Sequence, residues 1–200
     1  DFSTEMERAL SILDYAILLI SGVEGIQGHT ETIWNLLRKY NIPTFIFINK
    51  MDRTGSDLER VLEEVNENLA NDICHIDSIH GMSEELIEFI SERNEDLLER
   101  YFNGDYEEEI WINELKELIK ENKIFPCLSG SALQDEGIDN FLNIFNELTY
   151  TNYDEEEEFS GRVHKIRYDN NGTRITFIKA ISGNLKVRDE ITYGMLDEEI

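Results

Sequence analysis

Thiols are scarce in this chain of 200 residues, with Cys74 and Cys127 the only two. That is too few for a disulfide framework, and a reducing cytoplasm is the default expectation. Long apolar runs are also missing. Hydrophobic residues make up 40% of the chain, but none form an uninterrupted run of about eighteen, so no membrane span is expected. No basic-then-apolar leader opens the chain, and its first residue is Asp1, which reads as a piece cut from a longer protein. Basic side chains are outnumbered, 18 Lys and Arg against 43 Asp and Glu, for a net charge of −25. Residues 53 to 128 alone hold 21 acidic and 7 basic side chains. Such a surface repels phosphodiester backbones, so no direct nucleic-acid binding is expected from it. There is no H-E-x-x-H helix and no nucleophile elbow, which removes the zincin and serine-hydrolase readings. Cys74, His75 and His80 lack a fourth ligand at suitable spacing, so structural or surface roles are expected for them.

The most informative stretch that is present is "FIFINKMDRTG", residues 45 to 55. Phe45 to Ile48, entered through Pro43, read as a strand buried on both faces. Asn49, Lys50 and Asp52 follow at its carboxyl end, where ligands bind in open α/β sheets. "YAILLIS" reads as a second apolar strand and "IFPCLSGSA" as a third. Between them come helical stripes, Ile33 to Tyr40 and Leu58 to Leu69, the latter with capping-box spacing at Ser56 and Glu59. Strand and helix thus alternate over residues 1–150, the pattern of a parallel sheet with flanking helices. Residues 73–123 interrupt it with an acidic helical insertion, in which Gly104 suits a helix C-terminus and Leu97, Leu98, Tyr101, Phe102 and Trp111 are expected to pack together. Residues 151–158 read as a charged linker. Residues 159–200 alternate polar and apolar side chains around Asn171-Gly172, a strong hairpin signal, and read as the first strands of a β-barrel or sandwich.

Asn-Lys-x-Asp is a chemical fit to guanine. An ionised carboxylate only accepts, so Asp52 can take both the N1–H and the exocyclic amine. Adenine would leave that charge facing an unprotonated nitrogen, a mismatch on the order of 10⁴-fold. Asn49 can offer its amide to the N7 side, and the Lys50 stem can lie over the purine face. The backbone N–H groups of Ser131 and Ala132, in the turn after the third strand, are the expected donors to O6.

These elements together resemble the GTPase domain of translational GTPases related to elongation factor G. "DFSTEMERALSILDYAILLISGVEGIQGHTE", "INKMDRTGSD" and "GSA" carry the resemblance. "NEDLLERYFNG", "FPCLSGSALQDEGIDNFLNIF" and "GRVHKIRYDNNGTRITFIKAISGNLKVRDEI" look most similar to the ribosomal protection type of tetracycline-resistance protein. The insertion also looks short for elongation factor G. The resemblance implies a P-loop GTPase-type sheet and GTP as ligand. It further implies a cytoplasmic parent that acts on the ribosome, and a helix over Ser3 to Asp14 that responds to the γ-phosphate through Glu5 and Arg8. The segment with the catalytic histidine would end just before residue 1, and His29 belongs to a different motif. No G-x-x-x-x-G-K-[ST] occurs, so the phosphate cradle and its Mg²⁺-binding hydroxyl are not in these residues. A guanine half-site is therefore expected, with weak affinity and no hydrolysis by this chain alone. An elongation factor G-like translocase and a non-catalytic interaction module are the alternatives.

Overall fold

The computed structural model describes residues 8–190. They fall into two compact units, one of residues 13–151 and one joining those up to 12 with those from 152 onward. The larger unit runs β1 (Ala16–Ser21), α1 (Gly28–Lys39), β2 (Thr44–Asn49), α2 (Leu58–Asn68), β3 (Ile73–His75), α3 (Glu84–Ser91), α4 (Glu95–Asn103), α5 (Glu108–Lys120), β4 (Phe125–Ser129) and α6 (Ile138–Leu148). Its four strands form a parallel sheet in the order β1-β2-β4-β3. The fold is α/β, and helices make the crossovers that parallel pairing requires.

β2 organises this unit. Phe45, Ile46, Phe47 and Ile48 are each at most 3% exposed. Successive strand side chains point to opposite faces. Phe45 and Phe47 therefore join a core with Trp111, Leu115 and Phe141, while Ile46 and Ile48 join one with Trp34, Val61 and Phe125. Phe45 meets Phe145 at 4.9 Å and Phe47 meets Phe141 at 5.1 Å, both edge-on, the geometry that ring quadrupoles favour. β1 is equally apolar in sequence but is not buried on both faces. Leu18 and Ile20 are buried, whereas Ile17 is 43% and Leu19 62% exposed. The strand ends the order of the sheet, and one of its faces has no covering layer among the described residues.

Three local details depart from the sequence pattern. Ile73–His75 lies in the stretch read as helical insertion, yet it pairs parallel with β4, Ile73 opposite Phe125. "SEELIEFISERNEDLLERYFNG" divides into α3 and α4, because the Asn94 side chain accepts the Asp96 and Leu97 N–H groups and starts a new helix. α2 is capped by Asp57, which accepts from the Arg60 N–H at 3.1 Å. Ser56 lies one residue before the cap, and its hydroxyl instead donates to Met51 O at 2.9 Å in the turn after β2. Within the insertion Trp111 is fully buried and donates its indole N–H to Ser91 Oγ at 3.0 Å. Leu97 is buried too, but Phe102 is 77% exposed. Gly104 ends α4 at φ 68°.

The smaller unit contains β5 (Ser160–Tyr168) and β6 (Arg174–Ser182), paired antiparallel. Gly172 has a φ of 80° at the turn, where the Asp169 carboxylate accepts the N–H groups of Asn171 and Thr173. No closed barrel is present among the described residues. Residues 8–10 are helical, but 11–14 are turn and bend, so the helix expected to reach Asp14 stops short of it; positions 3–7 of that expectation, Glu5 among them, lie outside the described residues, as does the stretch from 191 onward.

Candidate functional site

β2 and β4 are parallel neighbours, with Ile48 opposite Ser129. Their carboxyl ends therefore emerge side by side, and backbone bonds sew the following turns together. Gly130 N–H donates to Ile48 O at 3.0 Å, and Met51 N–H to Gly130 O at 3.1 Å. Position 130 has no room for a side chain, because a Cβ would lie 2.3 Å from Glu136 O and 3.0 Å from the Phe47 ring. The next residue, Ser131, is fully buried and exchanges both backbone bonds with Glu136.

This arrangement brings Asn49, Lys50, Asp52, Ser131 and Ala132 into one cluster. Ser131 Oγ donates to Asp52 Oδ1 at 2.5 Å and accepts from the Gln134 N–H at 3.2 Å. Asn49 Oδ1 accepts from the Lys50 N–H at 2.8 Å and from the Ala132 N–H at 3.0 Å. The Asn49 carbonyl is thereby committed, which turns its amide donors to other partners. Asp52 is exposed, and one bond from Ser131 leaves most of the acceptor sites of a carboxylate for a ligand. The two backbone donors expected for O6 are both engaged within the protein, Ser131 with Glu136 O and Ala132 with Asn49 Oδ1. The Ser131 hydroxyl, rather than its backbone, makes the closest link in the cluster.

Lys50 stands in the left-handed region at φ 68°. Its ammonium reaches Glu24 Oε2 at 3.3 Å. Glu24 comes from the loop after β1, which the sequence marks only by its glycines. The Glu24 carboxyl is held below the usual carboxylate range, first by hydrogen bonding with Ser21 and then by Lys50. Gly22 lets that loop close on the cluster. Its N–H donates to Asn49 O at 2.7 Å, and a Cβ there would lie 2.6 Å from Met51 Sδ. Leu133, next to Ala132, is 73% exposed. Among the described residues no group of three or more His, Cys, Asp or Glu side chains is arranged to hold a metal ion. Nor is any helix there long and apolar enough to cross a membrane.

The family described as elongation factor Tu GTP binding domain matches residues 1–151. The chain belongs to that family. It is 32% identical to tetracycline resistance protein TetP of Clostridium perfringens, over 96% of this chain and 32% of that protein. It is 34% identical to tetracycline resistance protein TetM from transposon Tn5251 of Streptococcus pneumoniae, again over 96% of this chain and 32% of that protein. The chain thus spans about a third of the length of the curated relatives it matches. A crystal structure of a Thermus thermophilus protein aligns with a TM-score of 0.78 at 20% identity, over 94% of this chain and 35% of that one. That likeness is one of fold. Within this GTP-binding family, the carboxyl ends of β2 and β4 are the part of the domain that the cluster occupies.

Proposed function

We propose that the chain supplies the guanine-recognising part of a ribosome-dependent translational GTPase, and that the parent is a tetracycline-resistance protein of the ribosomal protection type. Residues 1–150 would be the later part of its GTP-binding domain with the insertion at 73–123, 151–158 a linker, and 159–200 the first strands of a β-barrel domain. The carrying observation is the 2.5 Å bond from buried Ser131 to exposed Asp52, which aims a carboxylate outward from the end of β2. In this reading Asp52 accepts the N1–H and the amine of guanine. Asn49, its carbonyl tied to Ala132, offers its amide to N7, and the Lys50 stem covers the ring. Binding of O6 by the Ala132 N–H requires that donor to be shared with Asn49 Oδ1.

Phosphate binding, Mg²⁺ coordination and hydrolysis would fall to residues of the parent, since the sequence holds no G-x-x-x-x-G-K-[ST]. The parent would work in the cytoplasm, using GTP to release drug from the ribosome. The names of the relatives at 32% and 34% identity favour this over an elongation factor G-like translocase. Drug resistance conferred by the parent on a sensitive bacterium would separate the two. Calorimetric titration of the full-length parent tests the site itself. GDP is expected to bind in preference to ADP. Asp52→Asn should shift preference from GDP toward xanthosine diphosphate by roughly 3 kcal/mol, about two orders of magnitude. An unchanged GDP to xanthosine diphosphate ratio would remove Asp52 from the role.

A further inference from the structure

The loop after β1 is held from below by helix α2. Arg60 donates through Nη2 to Val23 O at 2.9 Å and to Gly22 O at 3.4 Å. Its Nη1 pairs with Glu64 one turn further on, and Glu64 Oε2 accepts the Ile26 N–H at 3.1 Å. The Asp57 N–H, at the cap of the same helix, donates to Gly22 O at 3.1 Å. Gly25 sits so close that a Cβ would come within 2.0 Å of Glu64 Oε2, and its φ of 67° is one that side chains rarely adopt. Gly22, Val23, Gly25 and Ile26, the loop residues on either side of Glu24, are therefore held against Asp57, Arg60 and Glu64 in the first two turns of α2. The residue that this anchoring presents to the cluster is Glu24, 3.3 Å from the Lys50 ammonium.

A lysine that is to cover a purine with its stem has four rotatable bonds to order, and ordering them at the moment of binding costs affinity. An acceptor that captures the ammonium beforehand removes part of that cost. We infer that Glu24 is a positioning residue of the guanine site, holding the Lys50 ammonium so that its stem is already extended, with Arg60 and Glu64 fixing the loop that carries it. The inference rests on the guanine reading of the site. Both partners are about half exposed, at 46% and 53%, so the effect belongs to the range of an exposed ion pair.

The test is a double-mutant cycle in the full-length parent, titrated with GDP and inosine diphosphate. Glu24→Gln is expected to weaken both nucleotides alike, by about two- to fivefold, because Lys50 touches the ring and not the amine that distinguishes them. The same substitution in a Lys50→Met background, where a stem of similar length remains without charge, should change nothing further. Arg60→Met should reproduce the Glu24→Gln loss; if it unfolds the protein, the Glu24 and Lys50 cycle decides alone. An undiminished Glu24→Gln loss in the Lys50→Met background overturns the inference, as does no loss in the wild-type background. A wild-type protein without preference for GDP over ADP sinks the guanine reading and the inference with it.

Discussion

Ser131 has no solvent exposure, yet its hydroxyl serves two partners, donating to Asp52 and accepting from Gln134. Its backbone is independently fixed by the bridge to Glu136. Replacing it with alanine therefore removes the orientation of Asp52 and one bond from the exposed Gln134 N–H, while the backbone bridge keeps the turn closed. Hydrogen bonds to charged groups contribute most when desolvated, and Asp52 is exposed, so the loss belongs near 1 kcal/mol. Ser131→Ala in the parent should weaken GDP about fivefold while leaving its thermal midpoint nearly unchanged, measured by titration and calorimetry on one preparation. An equal loss of ADP binding would show that Asp52 was not what moved. The sequence picks out Ser131 because small side chains in the turn after the third strand let the backbone approach a base. It does not disclose that the side chain carries the link, because that depends on Asp52, 79 positions away, arriving on the neighbouring strand end. Glu24 was hidden for the same reason, since nothing local to "GVEG" names Lys50 as its partner.

The elements divide in the same way. β2 was legible because four consecutive apolar residues need burial on two faces, and Gly104 because a left-handed helix end favours glycine. Ile73–His75 was not legible: three residues hold too little pattern to declare a strand, and only pairing with β4 makes one. The link between insertion and core is another tertiary feature. His80, in the loop after β3, faces Glu108 in the first turn of α5 through Nδ1 at 3.1 Å and Glu147 in the last turn of α6 through Nε2 at 3.2 Å. The Gly81 N–H also donates to Glu108 at 2.6 Å. Bonding to Glu108, then the charge of Glu147, raises the imidazole above its ordinary 6.5. The Gly81 N–H, then His80, lowers Glu108 below its ordinary 4.5. A raised histidine stabilises fully below 6.5 and ceases to do so as pH rises through its folded value. A lowered glutamate stabilises above 4.5 and ceases to do so as pH falls through its folded value. The clasp is thus complete between those two ordinary values. NMR titration of the His80 ring should give a midpoint above 6.5, and His80→Gln should abolish the fall in stability above that pH. A midpoint at or below the ordinary value would mean that the clasp does not form in solution.

At the scale of the whole molecule, two features of this 200-residue polypeptide oppose each other. Its net charge of −25 repels other copies, while β1 offers Leu19 and Ile17, 62% and 43% exposed, on a strand at the end of the sheet order. A strand edge with apolar side chains is a template for pairing with another chain. Burying each side chain is worth at most about 1.5–3 kcal/mol, so repulsion at low salt is enough to decide the balance. The range of that repulsion falls from roughly 30 Å at about 0.01 M salt to roughly 10 Å at about 0.1 M. The isolated polypeptide should therefore scatter light as a monomer in dilute buffer and gain mass as salt is added, the reverse of what an assembly held by ion pairs would do. Leu19→Lys places an ammonium on the uncovered face of the edge strand β1, where little packing is lost, and should keep the polypeptide monomeric at both salt levels. A mass that stays constant with salt, or a salt-induced rise that Leu19→Lys leaves intact, would show that the β1 edge is not the adhesive surface.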